Sequence, residues 1–456
     1  MAGTLNLTVR RPHPARALGS GTARVVMGFG AILLTGTLLL MLPAASADGE
    51  STRAPDALFT AVSAICVTGL VVVETQTHWS FFGEAVIALL IQVGGLGYMV
   101  GTSLVLWALG RRLGVRDQHM LRLYYGAPTV SEAVDFAKTV VKYAIGLEIV
   151  GAIVLYFCFL FADVPASTSV WWAIFHSLSA FNNAGFAVTG ADMVPFAGNA
   201  AILLTISFLV IAGGIGSVPL VVLARRRSVR GLPLDTRLIL VTTVALLVVG
   251  TAYLAVFEWS NMGTFERVSE PKRAVLAFFQ ATMPRTAGFS AVDVGQMHDE
   301  SKFLQVGLMF IGGAAGSTAG GIKVGTFSVL FIAIVATVRG RNDIVGFGRR
   351  VPAMVIRQAL TLSLIMVAAT FGLATFLLIV SNGEHEFIDV LFEAQSALST
   401  VGLSGGITAS FGDVGRGALI VGMLVGRFGP LVLVLEMTRT RARRTVHLPE
   451  DSIRLG

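Results

Sequence analysis

Charge is what this sequence has least of: Asp, Glu, Lys and Arg make up 13% of its 456 residues, against about a quarter in soluble domains. Together with 54% hydrophobic residues, that scarcity excludes water as the main solvent of the folded chain. Cysteine is almost absent. Cys66 and Cys158, the two present, lie in apolar runs and are too few for a disulfide framework or a cysteine metal site. No Ser/His/Asp set and no metal-ligand spacing emerges, so neither catalysis nor a cofactor is assigned. Polar linkers of the kind that divide soluble chains are missing too, and a single membrane domain is the simpler reading. The net charge of +7 would suit nucleic acid if it formed a face. Its basic residues instead occur in short runs that abut apolar spans, which argues against that partner.

Long apolar sequence, by contrast, is abundant. About 20 helical residues cross ~30 Å of hydrocarbon, and such segments run at 22–43, 81–109, 139–161, 199–224, 236–257, 302–338, 354–380 and 415–437, giving eight crossings. The basic stretch before the first contains Pro12 and Pro14, but the apolar run exceeds a secretory signal and no cleavage site follows, so residues 25–42 are read as a retained helix. Between the members of each successive pair lies a shorter stretch, at 55–66, 170–182, 272–284 and 388–398. Each is too short to span, and a re-entrant helix fits better. Of the 34 Lys and Arg, 25 fall in the N-terminus, in 110–142, 225–237 and 339–357, and in the C-terminus. If the short stretches enter from the opposite side, these runs share one face. The positive-inside rule makes that face cytoplasmic and places both termini there. The chain then divides into a tail (1–21), repeat 1 (22–109), a linker (110–137), repeat 2 (138–224), a linker (225–234), repeat 3 (235–338), a linker (339–351), repeat 4 (352–437) and a tail (438–456).

The four short stretches are copies of one pattern. A Phe stands ten residues before a Gly in each (Phe59 and Gly69, Phe175 and Gly185, Phe278 and Gly288, Phe392 and Gly402), and a Ser or Thr stands six before it (Ser63, Ser179, Thr282, Ser396). Glycine tolerates positive φ and close backbone approach, so the chain can turn sharply after a short helix. Irregular backbone at membrane depth survives only where it is buried or lines a watery path. Four such turns about an axis would offer a ring of carbonyl oxygens to a bare monovalent cation, with the negative ends of four helix dipoles facing it. Pro55 with Asp56, Ser167 to Ser169, Pro271 and Asp389 are the expected helix starts. The Phe and Ser/Thr positions are read as helix packing and backbone support, and His176 as packing within its own helix. Asn182 and Asn183 are read either as oxygen donors near the second turn or as packing.

The sixth span is interrupted by Gly312, Gly313, Gly316, Gly320 and Gly321, with Ser317, Thr318 and Lys323 among them. Five glycines within ten residues each cost up to about 1 kcal/mol in a helix, so a broken helix with an irregular insert is expected. A phosphate-binding loop is excluded on spacing, because Gly321 is followed by Ile322 rather than Lys-Ser/Thr. A small-residue packing face is the alternative. Arg427 lies within the last span, where a cation faces a cavity or a partner; a structural ion pair is the other reading. Glu74, His78, Asp192, Asp293 and Asp413 fall just outside the turns, where carboxylates could concentrate cations.

A fourfold series of spanning helix, short helix, turn and spanning helix, with single glycines in Val67-Thr68-Gly69, Asn183-Ala184-Gly185, Thr286-Ala287-Gly288 and Thr400-Val401-Gly402, resembles the TrkH/KtrB superfamily of potassium transporters over residues 22–437. The resemblance implies an all-α integral membrane protein of eight transmembrane and four re-entrant helices around one ion path, with those twelve residues as the potassium filter. It also implies that residues 312–323 are an intramembrane gate under the filter, with Arg427 in the path beside it. The short C-terminus and the eight crossings look more like the KtrB branch, which implies homodimerisation, sodium dependence and a separate KtrA- or TrkA-like cytoplasmic ring of nucleotide-binding subunits, with potassium uptake or symport at the plasma (inner) membrane. The alternative is a coupled secondary transporter of another cation or solute. Those commonly show two inverted halves with charged midplane sites, whereas this chain shows four parallel copies.

Overall fold

The computed structural model describes residues 20–97, 130–225, 232–341 and 343–438. The basic residues expected in 1–19, 110–129, 226–231 and 439–456, and the far end of the 81–109 span, lie outside the described residues. The chain is mostly helical, and its element order runs four times through the same series. The first series is α1 (Ser20–Leu40), the short α2 (Ala54–Cys66) and α3 (Phe81–Gly95). The second is α4 (Val130–Leu160), the short α5 (Ala166–Phe181), α6 (Ala200–Ile215) and its extension α7 (Ser217–Arg225). The third is α8 (Leu234–Phe257), the short α9 (Glu270–Thr282), α10 (Asp299–Phe310) and α11 (Val324–Val338). The fourth is α12 (Ala353–Val380), the short α13 (Phe387–Ser399) and α14 (Asp413–Thr438). A two-residue hairpin, β1 (Val345–Gly346) against β2 (Arg349–Arg350), joins the third series to the fourth.

Among the described residues, Ala137–Leu160, Leu234–Phe257 and Ala353–Val380 are long and apolar enough to cross a membrane unaided. Their outward faces carry Ile149, Ile153 and Phe157, then Val241, Val244 and Val248, then Leu360, Leu364 and Phe371, all exposed. Such a belt is stable against hydrocarbon and costly against water. The inside is the reverse, with Ser63, Thr68, Asn182, Asn183, Thr286, Ser396, Ser399 and Thr400 fully buried.

Two expectations need correction. The 199–224 span is not continuous: α6 stops at Ile215 and Gly216 turns with φ +88 before α7 begins. Ala315 of the glycine-rich segment packs at this break. The short helices also start differently. Pro55 and Pro271 do occupy first-turn positions, but α5 starts at Ala166 behind Pro165, and Ser169 lies inside it with its hydroxyl donating to Val164 O at 3.1 Å. None of the four residues that precede these helices makes a side-chain cap bond.

Polar buckles join three of the four neighbouring pairs of series at one repeated position, the fourth residue of the helix after the turn. Lys302 of α10 donates to Asp389 in the first turn of α13 at 2.8 Å, and Arg416 of α14 donates to Asp56 in the first turn of α2 at 2.7 Å. Glu84 of α3 accepts from the Trp171 indole of α5 at 2.5 Å. The equivalent residue of α6 is the buried Leu203, so the seam between the second and third series is apolar there. Lys302 keeps only 5% of its side chain exposed and Asp389 18%, and stranding one partner of such a pair costs about 3 kcal/mol. Lys302→Met is therefore expected to lower the melting midpoint of the detergent-solubilised protein clearly, and Lys302→Met with Asp389→Leu to recover most of the loss. Breaking the exposed Arg350–Asp343 pair is expected to cost under about 1 kcal/mol.

Candidate functional site

The four short helices end in one geometry. Each is followed by a residue at positive φ, one ordinary residue, then a glycine at positive φ: Val67 (+57) and Gly69 (+90), Asn183 (+58) and Gly185 (+71), Thr286 (+65) and Gly288 (+78), Thr400 (+49) and Gly402 (+99). Non-glycine residues rarely adopt this conformation, and it persists only where surroundings enforce it. The first, second and fourth copies enforce it alike. Thr68, Ala184 and Val401 donate their amides to the carbonyls of Ser63, Ser179 and Ser396, each at 2.8 Å. The Ser63 and Ser396 hydroxyls also accept from the amides of Gly69 and Gly402, both at 3.1 Å, and the Ser179 hydroxyl donates to Phe186 O at 2.8 Å. The serines thus act as backbone support, as their spacing implied. In the third copy the acceptor is Met283 O for both Ala287 and Gly288, while the Thr282 hydroxyl turns back to Phe278 O. Pro284, which has no amide, follows Met283 there.

These turns meet. A methyl group placed on Gly69 would strike Ala184 O and lie 2.9 Å from the Gly185 Cα; one on Gly185 would lie 2.8 Å from both Ala287 O and the Gly288 Cα. One on Gly288 would strike Val401 O and lie 3.1 Å from the Gly402 Cα, and one on Gly402 would strike Thr68 O and lie 3.1 Å from the Gly69 Cα. The contacts close in chain order, 1 to 2 to 3 to 4 to 1. Backbone fills the meeting point, and the carbonyl just before each glycine abuts a neighbouring turn. Around it the hydroxyls of Thr68, Thr286 and Thr400 and the Asn183 amide nitrogen are buried without a protein partner.

A second row of glycines lies one layer away and was not read from the sequence. Gly94 of α3, Gly213 of α6 and Gly426 of α14 are so close to Ile65 O, Phe181 O and Leu398 O that a methyl group would overlap each oxygen. Each carbonyl belongs to the residue four before a turn glycine. The signal was available: a glycine recurs 24 to 28 residues after each turn glycine, at 94, 213, 312 and 426. In the third copy it is Gly312, where the helix stops.

Residues 311–323 are irregular, as the glycine content implied. Ile311 and Ile322 form an isolated bridge, Gly312 N donates to Ile322 O at 2.9 Å and Val324 N to Gly313 O at 3.0 Å, so the segment is a closed loop. It presses on three of the four turns from the side of the short-helix ends. Thr318 donates to Asn183 Oδ1 at 3.0 Å, a methyl on Gly320 would strike the Thr400 hydroxyl, and one on Gly312 would lie 3.2 Å from the Thr286 methyl. Arg427 donates to Thr318 O and, at 2.6 Å, to Gly94 O, which ties the loop to α14 and α3. Lys323 donates to Ala319 O at 2.6 Å. Gly316 and Ser317 lie at the far bend, where the Ser317 hydroxyl donates to Ala314 O at 2.7 Å. Beyond the loop opens a mainly apolar cavity of about 500 Å³, bordered by Lys323, Arg427 and Asp235.

Four of the outer polar residues, His78, Asp192, Asp293 and Asp413, are engaged by nearby groups. Asp293 caps the following turn, Asp413 pairs with Arg53 at 3.4 Å, and His78 bonds Thr52 at 3.0 Å. Asp192 accepts from Ser290 N at 2.5 Å, and burial pushes its carboxyl above the usual range against that bond. His176 is not confined to its helix: its Nδ1 faces Trp172 O at 2.7 Å and its Nε2 accepts from Val188 N at 3.3 Å.

Known proteins match this chain over most of its length. The family model described as TrkH, cation transport protein, matches residues 2–441. The Ktr system potassium uptake protein B of Bacillus subtilis is 34% identical, over 95% of this chain and 96% of its own. The potassium/sodium uptake protein NtpJ of Enterococcus hirae is 32% identical over the same shares. The crystal structure of the potassium transporter TrkH from Vibrio parahaemolyticus superposes with a TM-score of 0.68 at 23% identity, covering 94% of this chain and 87% of that one; at that identity the likeness is one of fold.

The glycine row supplies a stability test. Gly426→Ala and Gly94→Ala force backbone apart and are expected to lower the melting midpoint strongly. Gly307→Ala in α10 has no atom within 4 Å of the added methyl and is expected to be neutral or stabilising by up to about 1 kcal/mol.

Proposed function

The chain belongs to the TrkH family of cation transport proteins, which are ion transporters and not enzymes, and from that premise we propose that it carries potassium into the cell through the four meeting glycine turns. The observation that carries the reading is the closed contact order of Gly69, Gly185, Gly288 and Gly402. With glycine at the meeting point, backbone oxygens can face a passing ion, and the Thr68, Thr286 and Thr400 hydroxyls lie buried around them. Val67, Thr68, Gly69, Asn183, Ala184, Gly185, Thr286, Ala287, Gly288, Thr400, Val401 and Gly402 form the selectivity filter in this reading. Their carbonyls replace the hydration shell of a bare cation, and the carboxyl ends of four short helices add negative potential. Single glycines rather than a longer regular run give fewer ordered sites.

The 312–323 loop and Arg427 are the gate. The loop lies across the path against Asn183, Thr286 and Thr400, and a guanidinium beside it opposes a waiting cation. Opening requires the Arg427 bonds to Thr318 and Gly94 and the Thr318 bond to Asn183 to give way. Eight crossings follow from the lengths of the apolar spans, and the cytoplasmic placing of both termini and the basic linkers follows from the distribution of Lys and Arg. A nucleotide-binding ring of separate subunits docks on those linkers and controls the gate; the relatives named as parts of a Ktr system support a multi-component assembly. Homodimerisation and sodium dependence belong to the same reading, the latter supported by the relative named for potassium and sodium.

Growth of a potassium-uptake-deficient cell at low potassium tests the proposal. The unsubstituted chain is expected to rescue growth, and Gly402→Asp, expressed in the membrane at equal level, is expected to abolish it. Rescue by Gly402→Asp would remove the filter assignment. For the gate, Thr318→Ala with Arg427→Ala is expected to raise rubidium influx into liposomes severalfold without any partner subunit. Unchanged influx would count against the loop as the barrier.

A further inference from the structure

One position in the short helices, next to the repeated Phe, differs in all four copies. The residue after the repeated Phe is Thr60, His176, Phe279 and Glu393 in the four copies. In the second and fourth copies this side chain crosses to the segment that leaves the turn, and both times it reaches the amide twelve residues on, which is the third residue past the glycine. His176 Nε2 accepts from Val188 N at 3.3 Å, and since Nδ1 bonds the Trp172 carbonyl, the proton is on Nδ1. Glu393 accepts from Gly405 N at 3.1 Å, from the Thr408 hydroxyl at 2.8 Å and from the Ser404 hydroxyl. Both side chains are fully buried. In the first copy the Thr60 hydroxyl returns to its own helix at Asp56 O, 2.9 Å, and Phe279 has no polar atom to offer.

The contact order of the glycines puts the second and fourth copies opposite each other across the meeting point. Two polar straps on one diagonal therefore fix the outer lips of two facing turns to their helices. On the other diagonal the support differs: the Ser290 hydroxyl accepts from the Gln280 amide at 3.0 Å, and its backbone amide bonds Asp192 of the second copy. Ion discrimination by backbone oxygens needs those oxygens held at a set spacing, because a ring free to shrink accepts a smaller ion as well as a larger one.

Resting on the transport reading above, we propose that Glu393 and His176 are positioning residues for cation discrimination, holding the exits of two opposite filter turns apart so that the ring fits potassium and resists closing on sodium. Neither touches the ion. Glu393 acts through Gly405 and His176 through Val188. Glu393 accepts three bonds from the exit segment, from Ser404, Gly405 and Thr408, where His176 accepts one, so the Glu393 strap is the dominant of the two.

The test uses the full chain in liposomes, with influx of radioactive rubidium measured at a fixed sodium concentration that supports maximal uptake and then against external sodium raised above it. Glu393→Gln loses the carboxylate, and sodium is expected to inhibit rubidium influx at about tenfold lower concentration than in the unsubstituted protein. His176→Phe conserves bulk without an acceptor and is expected to move the inhibition in the same direction by a smaller factor. Glu393→Asp, which keeps a carboxylate, is expected to lie between. A merely structural role would lower rubidium influx in every variant while leaving the sodium concentration for half-inhibition where it was, and that result overturns the inference. His176→Phe decides the matter alone if Glu393→Gln does not elute as a single species. Absence of rubidium influx in the unsubstituted chain would instead strike the transport reading, and this inference with it.

Discussion

Backbone-to-backbone contact among four glycines is the constraint on which the rest of this structure depends. Each of Gly69, Gly185, Gly288 and Gly402 combines a positive φ with a neighbour so close that a methyl group would collide with it. Four polypeptide turns can converge so tightly only if four helices stop short of the centre together. Those helices in turn can be approached from behind only through residues without side chains. Gly94, Gly213 and Gly426 meet that second requirement by letting the following helices lie on the helix-terminal carbonyls. The buckles at Lys302, Arg416 and Glu84 then fix three of these helices to the next series at their outer ends. Spacing at the centre is thus set twice, by steric exclusion within and by polar attachment without.

The interior carries polarity that a membrane protein could not expose to lipid. Buried irregular backbone must find partners for its amides and carbonyls, and the 311–323 loop does so with bonds across its own neck and to Gly214 O, Arg427, Lys323 and Arg285. Among the buried side-chain atoms left unpartnered are the hydroxyls of Thr68, Thr286 and Thr400, which lie together where the turns meet. An unpaired buried hydroxyl costs more than a paired one. Their grouping at one place follows naturally if an ion or water completes them.

Much of the centre was legible because it is repetitive. A Phe and a Gly in fixed frame, read four times, located every turn, and the glycine run located the loop that breaks the third series. What escaped depended on contacts far apart in the chain. Gly94, Gly213 and Gly426 also recur at near-regular distance, but each sits in an otherwise ordinary apolar helix, and only the carbonyl beside it gives it meaning. Gly216 broke a span that hydropathy alone reads as continuous. The helix starts at Ser167 to Ser169 were misplaced because Pro165 had already begun the helix. His176 was assigned to its own helix since nothing local points to Val188, twelve residues away through space rather than along a face. That Arg427 donates to the carbonyls of Thr318 and Gly94 is a choice that composition cannot make.

All four turns belong to one polypeptide. An assembly of identical subunits must write any change four times over, and so can alter its centre only in symmetric steps. Here Val67, Asn183, Thr286 and Thr400 stand at corresponding places with four separate codons behind them. A heritable change can therefore tune one quadrant while three keep their shape, which opens to selection graded adjustments that a symmetric oligomer could never sample.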